Sequence, residues 1–94
     1  MGREIQKEEL IQLHTFLLQL RTQLENMTEN NNSQAFLSYE QLNIGPHKVN
    51  RDKREHKLAV FELSKGIAYL LLENNYYPFQ GIYNDLEKMC IRFR

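Results

Sequence analysis

LIQLHTFLLQLRTQLENM, residues 10–27, is the stretch whose reading decides the fold. Its apolar residues Leu10, Leu13, Leu17, Leu20, Leu24 and Met27 recur in alternating steps of three and four. That is a heptad pattern with both seam positions filled over almost three repeats. A helix that carries it presents a continuous apolar seam, and each leucine left in water forfeits about 2 kcal/mol of burial. The segment therefore has to meet another helix, from its own chain or from a copy. Ile11, His14 and Leu18 add a second stripe at helical spacing and Phe16 lies on the flank, so the apolar arc is wider than a two-helix seam needs.

Outward from this stretch, the first helix is expected over about residues 4–28. No Gly or Pro interrupts it, and Glu4, Glu8 and Glu9 lie near its start, where negative charge suits the helix dipole. The run Asn30-Asn31-Asn32 ends it, because asparagine favours turns. Ser33 is placed to cap a short helix over about 34–43 that buries Phe36, Tyr39 and Leu42, with Gly45 and Pro46 as stop signals. Asp52 with Glu55, or Asn50 instead, caps a second long helix over about 52–74. Its seam reads His56, Val60, Leu63, Ile67 and Leu70, again in steps of four and three. Ala59 and Gly66 are small, and a tight contact is expected at Gly66, where glycine costs a helix about 1 kcal/mol against alanine.

Residues 76–94 form an aromatic C-terminal extension. Tyr76, Tyr77 and Phe79 surround Pro78 in an extended segment, and Ile82, Tyr83, Leu86, Met89, Cys90 and Phe93 mark an amphipathic helix over about 82–92. The expected fold class is all-α, a single helical domain over residues 1–94. Two long helices, a short one between them and a C-terminal one make a coiled-coil-like bundle completed by oligomerisation, most simply a symmetric dimer.

The totals exclude several classes of function. The 94 residues make one domain, and 12 basic against 12 acidic side chains lack the basic excess of a dedicated nucleic-acid binder. The longest apolar run, Ala68 to Leu72, is far short of the ~20 residues that span a bilayer. One cysteine, Cys90, and a charged N-terminus without a secretory pattern fit a cytoplasmic protein. No phosphate-cradling glycine loop or nucleophile elbow is present, so no catalytic residue and no enzyme activity are expected.

The candidate site residues are His14 and His56, as ligands of a divalent, zinc-like metal. Zinc wants three or four Cys, His or carboxylate donors, and no two histidines lie three or four apart on one helix. In a simple antiparallel hairpin His56 comes level with Leu24, about ten residues or 15 Å from His14. The two meet only if the connector carries the second long helix back parallel to the first, or if a second subunit supplies its own His56. The alternative is that both are hydrogen-bonded helix-face residues. Lys48, Arg51, Lys53, Arg54 and Lys57 form a basic segment able to meet phosphates, but Asp52 and Glu55 interrupt it, and a solvated helix start is the simpler reading.

These residues also carry a resemblance. Lys7-Glu8-Glu9-Leu10-Ile11 with Leu13 and His14, the trio Phe36, Tyr39 and Leu42, then Pro46, and the run from Lys53 through Glu55-His56-Lys57 and Ala59-Val60-Phe61 to Leu63 resemble a small archaeal family, uncharacterised protein family fifty-eight. The resemblance covers residues 7 to 73, is most specific around His56, and leaves the tail outside. It implies a small soluble protein of unassigned function, with a metal-binding label for some members. It also implies a second histidine where this chain has Asn50, a ligand that a metal site here would lack. The expectations are thus a non-catalytic homo-oligomeric scaffold or interaction module, then a metal-dependent regulator using His14 and His56, then nucleic-acid association through Lys48 to Lys57.

Overall fold

The structure, a computed structural model, describes residues 4–28 and 34–94. It is all-α, with no strand among the described residues. Helix α1 spans Lys7–Met27, α2 Leu37–Leu42, α3 Lys53–Glu73 and α4 Gln80–Phe93, with a 3₁₀ turn at Tyr77–Phe79 before α4. Helix α1 begins three residues later than its acidic lead-in suggests, because Glu4 is drawn off to an ion pair with Lys53 at 2.8 Å. Gln6 stands at the cap, and its N–H donates to Glu9 Oε1 at 2.9 Å. Ser33, the expected cap of α2, lies outside the described residues.

Helix α3 is capped as its sequence predicts. The Glu55 N–H donates to Asp52 Oδ1 at 2.8 Å, and the Asp52 N–H donates to Glu55 Oε1 at 3.2 Å, so two otherwise unpaired donors are satisfied reciprocally. Helix α2 stops at Asn43, which itself takes the left-handed conformation (φ 53°), so the stop comes two residues before Gly45. Asn75 (φ 73°) turns the chain out of α3, and the aromatic stretch after it is a 3₁₀ turn, not an extended segment. Pro78 within that turn has no N–H to give up.

Helix α3 is the centre of the molecule: ten of its 21 residues are buried, against two in α1. Every residue of its predicted seam, His56, Val60, Leu63, Ile67 and Leu70, is buried. Helices α1, α2 and α4 all pack on it. The start of α1 meets the start of α3 through Glu4 with Lys53, the Lys7 ammonium with the Val49 carbonyl, and His14 with His56. These two long helices therefore run parallel, and the connector through α2 carries the chain back to make them so. Helix α4 returns antiparallel along α3: Tyr69 meets Tyr83 at 5.8 Å between ring centres and Phe61 meets Phe93 at 5.4 Å. The C-terminal extension is thus an integral layer of the fold.

The core lies where α2 covers the α1–α3 pair. Phe36, Tyr39 and Ile44 pack on Ala59, Leu63, Ile67 and Leu70, with Leu17, Leu18 and Leu24 closing it from α1. Gly66 is the tight contact its sequence context predicts. A Cβ there would stand 2.5 Å from Phe36 Cδ1 and 2.8 Å from the Ala35 carbonyl oxygen. Gly66→Ala gains about 1 kcal/mol of helix propensity but forces a buried ring and a backbone group apart, at a typical overpacking cost of about 1–3 kcal/mol. A net loss of about 1–2 kcal/mol in a urea unfolding curve is expected; a more stable variant would show that α2 moves freely over α3.

Candidate functional site

The parallel run of α1 and α3 brings His14 and His56 together. Both are fully buried, with ring centres 6.4 Å apart in an edge-on arrangement. Tyr39 of α2 closes the group, its hydroxyl 2.6 Å from His14 Nε2. His56 Nε2 lies 2.9 Å from the Lys48 carbonyl oxygen. A carbonyl only accepts, so Nε2 of His56 carries the hydrogen, and in the neutral ring Nδ1 is the lone-pair nitrogen. The Nδ1 atoms of both histidines are buried without a hydrogen-bond partner. Burial, and secondarily the neighbouring His56, push the His14 pKa down to about 4, so His14 is a neutral imidazole near pH 7. Burial likewise raises the Tyr39 phenol above its ordinary value and keeps it protonated.

Within the chain the group supplies two nitrogen donors and a phenol. Among the described residues no cluster of three or more His, Cys, Asp or Glu side chains is placed to hold an ion. Tyr39 is the member the sequence reading missed as a site residue. The available signal was a hydroxyl on a buried helix face, which needs a polar partner.

A second feature is apolar and open. Helices α1 and α4 flank α3, and between them lies a groove of about 160 Å³ lined by Leu17, Leu20, Ser64, Ile67, Ala68, Leu71, Phe79, Ile82 and Leu86. The heptad seam of α1 divides here. Leu10 is buried and Leu17 and Leu24 pack against the core, whereas Leu13 is 38% exposed, Leu20 45% and Met27 78%. Phe16, 66% exposed, lies on the same side as the exposed set. One half of the seam faces inward; the other half remains a stripe on the outside.

Between α3 and α4 lies a buried ionic cluster that the sequence reading passed over. Glu62 is 2% exposed and Lys65 7%. The Lys65 ammonium stands 3.0 Å from Glu62 Oε1 and 3.5 Å from Glu87, and Arg94 donates to Glu62 Oε2 at 2.8 Å. Glu62 Oε1 makes its contact with Lys65 as a close charge pair off hydrogen-bonding geometry. Burial raises the Glu62 carboxyl, but Arg94 and Lys65 outweigh it and hold the group below its ordinary value. Cys90, fully buried beside this cluster, is pushed up to about 12 by burial and then by Glu62. That is a thiol kept protonated, as expected of a small buried hydrophobe and not of a nucleophile.

The basic segment is largely engaged inside the chain. Arg51 pairs with Glu55 at 2.9 Å and Lys53 with Glu4. Arg54 donates to the Arg92 carbonyl, and with Lys57 it stands over the Phe93 ring. Among the described residues no helix is long and apolar enough to cross a membrane.

With this geometry described, the chain can be set beside known proteins. The sequence profile of a family described as "Uncharacterised protein family UPF0058" matches residues 5–92. A UPF0058 protein of Methanocaldococcus jannaschii is 43% identical over 72 residues, 77% of this chain and 69% of that one. A UPF0058 protein of Methanothermobacter thermautotrophicus is 39% identical over 90 residues, 94% of this chain and 85% of that one. The crystal structure of Vng1086c from Halobacterium salinarium shares the fold with a TM-score of 0.68 at 31% identity, covering 79% of this chain and 97% of that one. The profile match runs through α4, so the tail, which the resemblance around His56 leaves outside, belongs to the family's span.

Proposed function

This chain belongs to the uncharacterised protein family UPF0058, whose relatives above are archaeal, and we propose that it acts as a non-catalytic helical interaction module that assembles with a second copy of itself. The observation that carries this reading is the outward half of the α1 seam: Leu13, Phe16, Leu20 and Met27 at helical spacing, all exposed. A stripe of large apolar side chains on one helix face is the usual mark of a partner surface. At about 25 cal/mol per Å² of apolar area, covering these four side chains favours association by several kcal/mol before the cost of bringing two molecules together. The non-catalytic part of the reading is supported by the burial of the two histidines and Cys90 away from any substrate and by the high pKa of the thiol.

Light scattering coupled to size exclusion tests the assembly. Twice the chain mass of 11.3 kDa is expected at about 50 µM, and a single 11.3 kDa species at that concentration overturns the reading. The variant Phe16→Glu/Leu20→Glu is expected to elute at the chain mass with undiminished helical circular dichroism. Both positions are exposed and neither belongs to the core cluster, so the isolated chain keeps its helices.

A metal-dependent regulator using His14 and His56 is the second reading. Its support is the pair of buried Nδ1 atoms without partners and the Lys48 carbonyl behind His56, the kind of outer partner that orients a ligating imidazole. Two imidazoles fall short of the three or four donors of a zinc site, so a metal here would need further donors from solvent or a second copy. Titration with cobalt(II) followed by visible absorption tests it. A stoichiometric band lost in His56→Gln supports a site, and no binding at millimolar metal removes it.

A further inference from the structure

We propose that the exposed stripe of α1 pairs with the same stripe of a second copy, the two α1 helices running antiparallel about a two-fold axis that crosses them near Phe16 and Leu20. The inference rests on the assembly reading above and adds the interface and its direction. A two-fold contact is made by one surface patch with itself, so the patch has to be self-complementary. The stripe meets that requirement: Leu13, Phe16, Leu20 and Met27 share one side of a single straight helix, and the inward residues Leu10, His14, Leu17 and Leu24 are occupied by the chain's own core. The groove between α1 and α4 borders the stripe at Leu20, with Ile82, 51% exposed, on its far rim, so the apolar surface continues past α1 itself.

Charge decides the direction. Eight of the eleven described Lys and Arg residues lie in or next to the first turns of α1 and α3 and the last turn of α4, against five carboxylates. The rest of the described chain holds Arg21, Lys65 and Lys88 against Glu25, Glu40, Glu62, Glu73, Asp85 and Glu87. Each copy is therefore positive at one end and negative at the other. A parallel pairing sets like ends side by side, whereas the antiparallel pairing sets each positive end on its partner's negative end. The helix dipoles of the two α1 segments favour the same direction.

Cysteine cross-linking separates this inference from the assembly reading. Leu13 and Gln23 are both exposed and lie on either side of the proposed axis. Native Cys90 is fully buried and gives no background in the folded protein. Under mild oxidation a mixture of Leu13→Cys and Gln23→Cys is expected to form a mixed disulfide at least five-fold faster than either variant forms its own. Fast self-linking of each variant alone, as a parallel pair would give, overturns the inference. So does a stable wild-type dimer whose variants stay dimeric yet form no cross-link, although assembly itself then stands. A wild-type monomer removes both. Loss of the dimer in either variant, with its helix content intact, places α1 in the interface and supports the inference.

Discussion

Lys65→Met should lower the unfolding free energy by about 3 kcal/mol and the melting temperature by about 15 °C. The cause is what the substitution leaves behind. Glu62 is 2% exposed, and Lys65 is the cation closest to its Oε1. Removing one partner of a buried pair strands a charge in a medium that solvates it poorly, which typically costs about 3–5 kcal/mol. Arg94, still 2.8 Å from Oε2, retains part of the compensation and sets the expectation at the lower end. The double variant Glu62→Leu/Lys65→Met is expected to recover most of the loss, because it removes both charges and leaves Arg94 and Glu87 in partly exposed positions where water reaches them. Urea unfolding at one fixed protein concentration measures both. A single variant that costs under 1 kcal/mol, or a double variant no better than the single, would show that the cluster is solvated in solution.

Acid should weaken the fold through His14 before any carboxylate takes part. Its folded pKa, about 4, lies below the ordinary histidine value of about 6.5. Between those values the unfolded chain binds a proton that the folded chain refuses, so stability rises with pH there. The contribution is whole above pH 6.5, is lost progressively as pH falls towards 4, and is constant below that. Its full size is about 3 kcal/mol at about 1.4 kcal/mol per unit. Glu62 and Glu4, both held below the ordinary carboxylate value, add their losses only below about pH 4.5. The window from 6.5 to 4.5 therefore keeps those carboxylates out, and comparison with a His14 variant extracts the share that His14 contributes. Unfolding free energies across it should fall by about 2–3 kcal/mol more in the wild type than in His14→Gln, whose amide does not titrate. Equal slopes in the two proteins would contradict the buried, neutral imidazole. His56 and the Tyr39 hydroxyl are the polar side chains that face it, and the phenol does not ionise in this range.

The two predictions fall on features that were unequally legible in the chain. The histidines were readable as candidates because each interrupts an apolar stripe on a long helix, and polar groups in such places need partners. Whether they meet was not readable. It turned on the direction of α3, and that direction is set by a connector whose residues have no period of their own. Glu62 and Lys65 gave no signal at all: three apart on a helix, they look like any solvent-facing pair until α4 is laid over them. The tail's own stripe announced that α4 packs somewhere, but not that it covers this face.

What the residues determined unaided is local. Helix type, the Asp52 cap, the α3 seam and the crowding at Gly66 follow from spacing, capping chemistry and side-chain size, which act over one or two turns of chain. The tertiary structure decided how α3 runs relative to α1, which half of the α1 seam is covered and which half stays outside, and which charges are buried. The physical reason is that these depend on summed contacts between distant segments, Phe36 on Gly66, Tyr39 on His14 and α4 on Glu62. No window of sequence contains both members of any such contact.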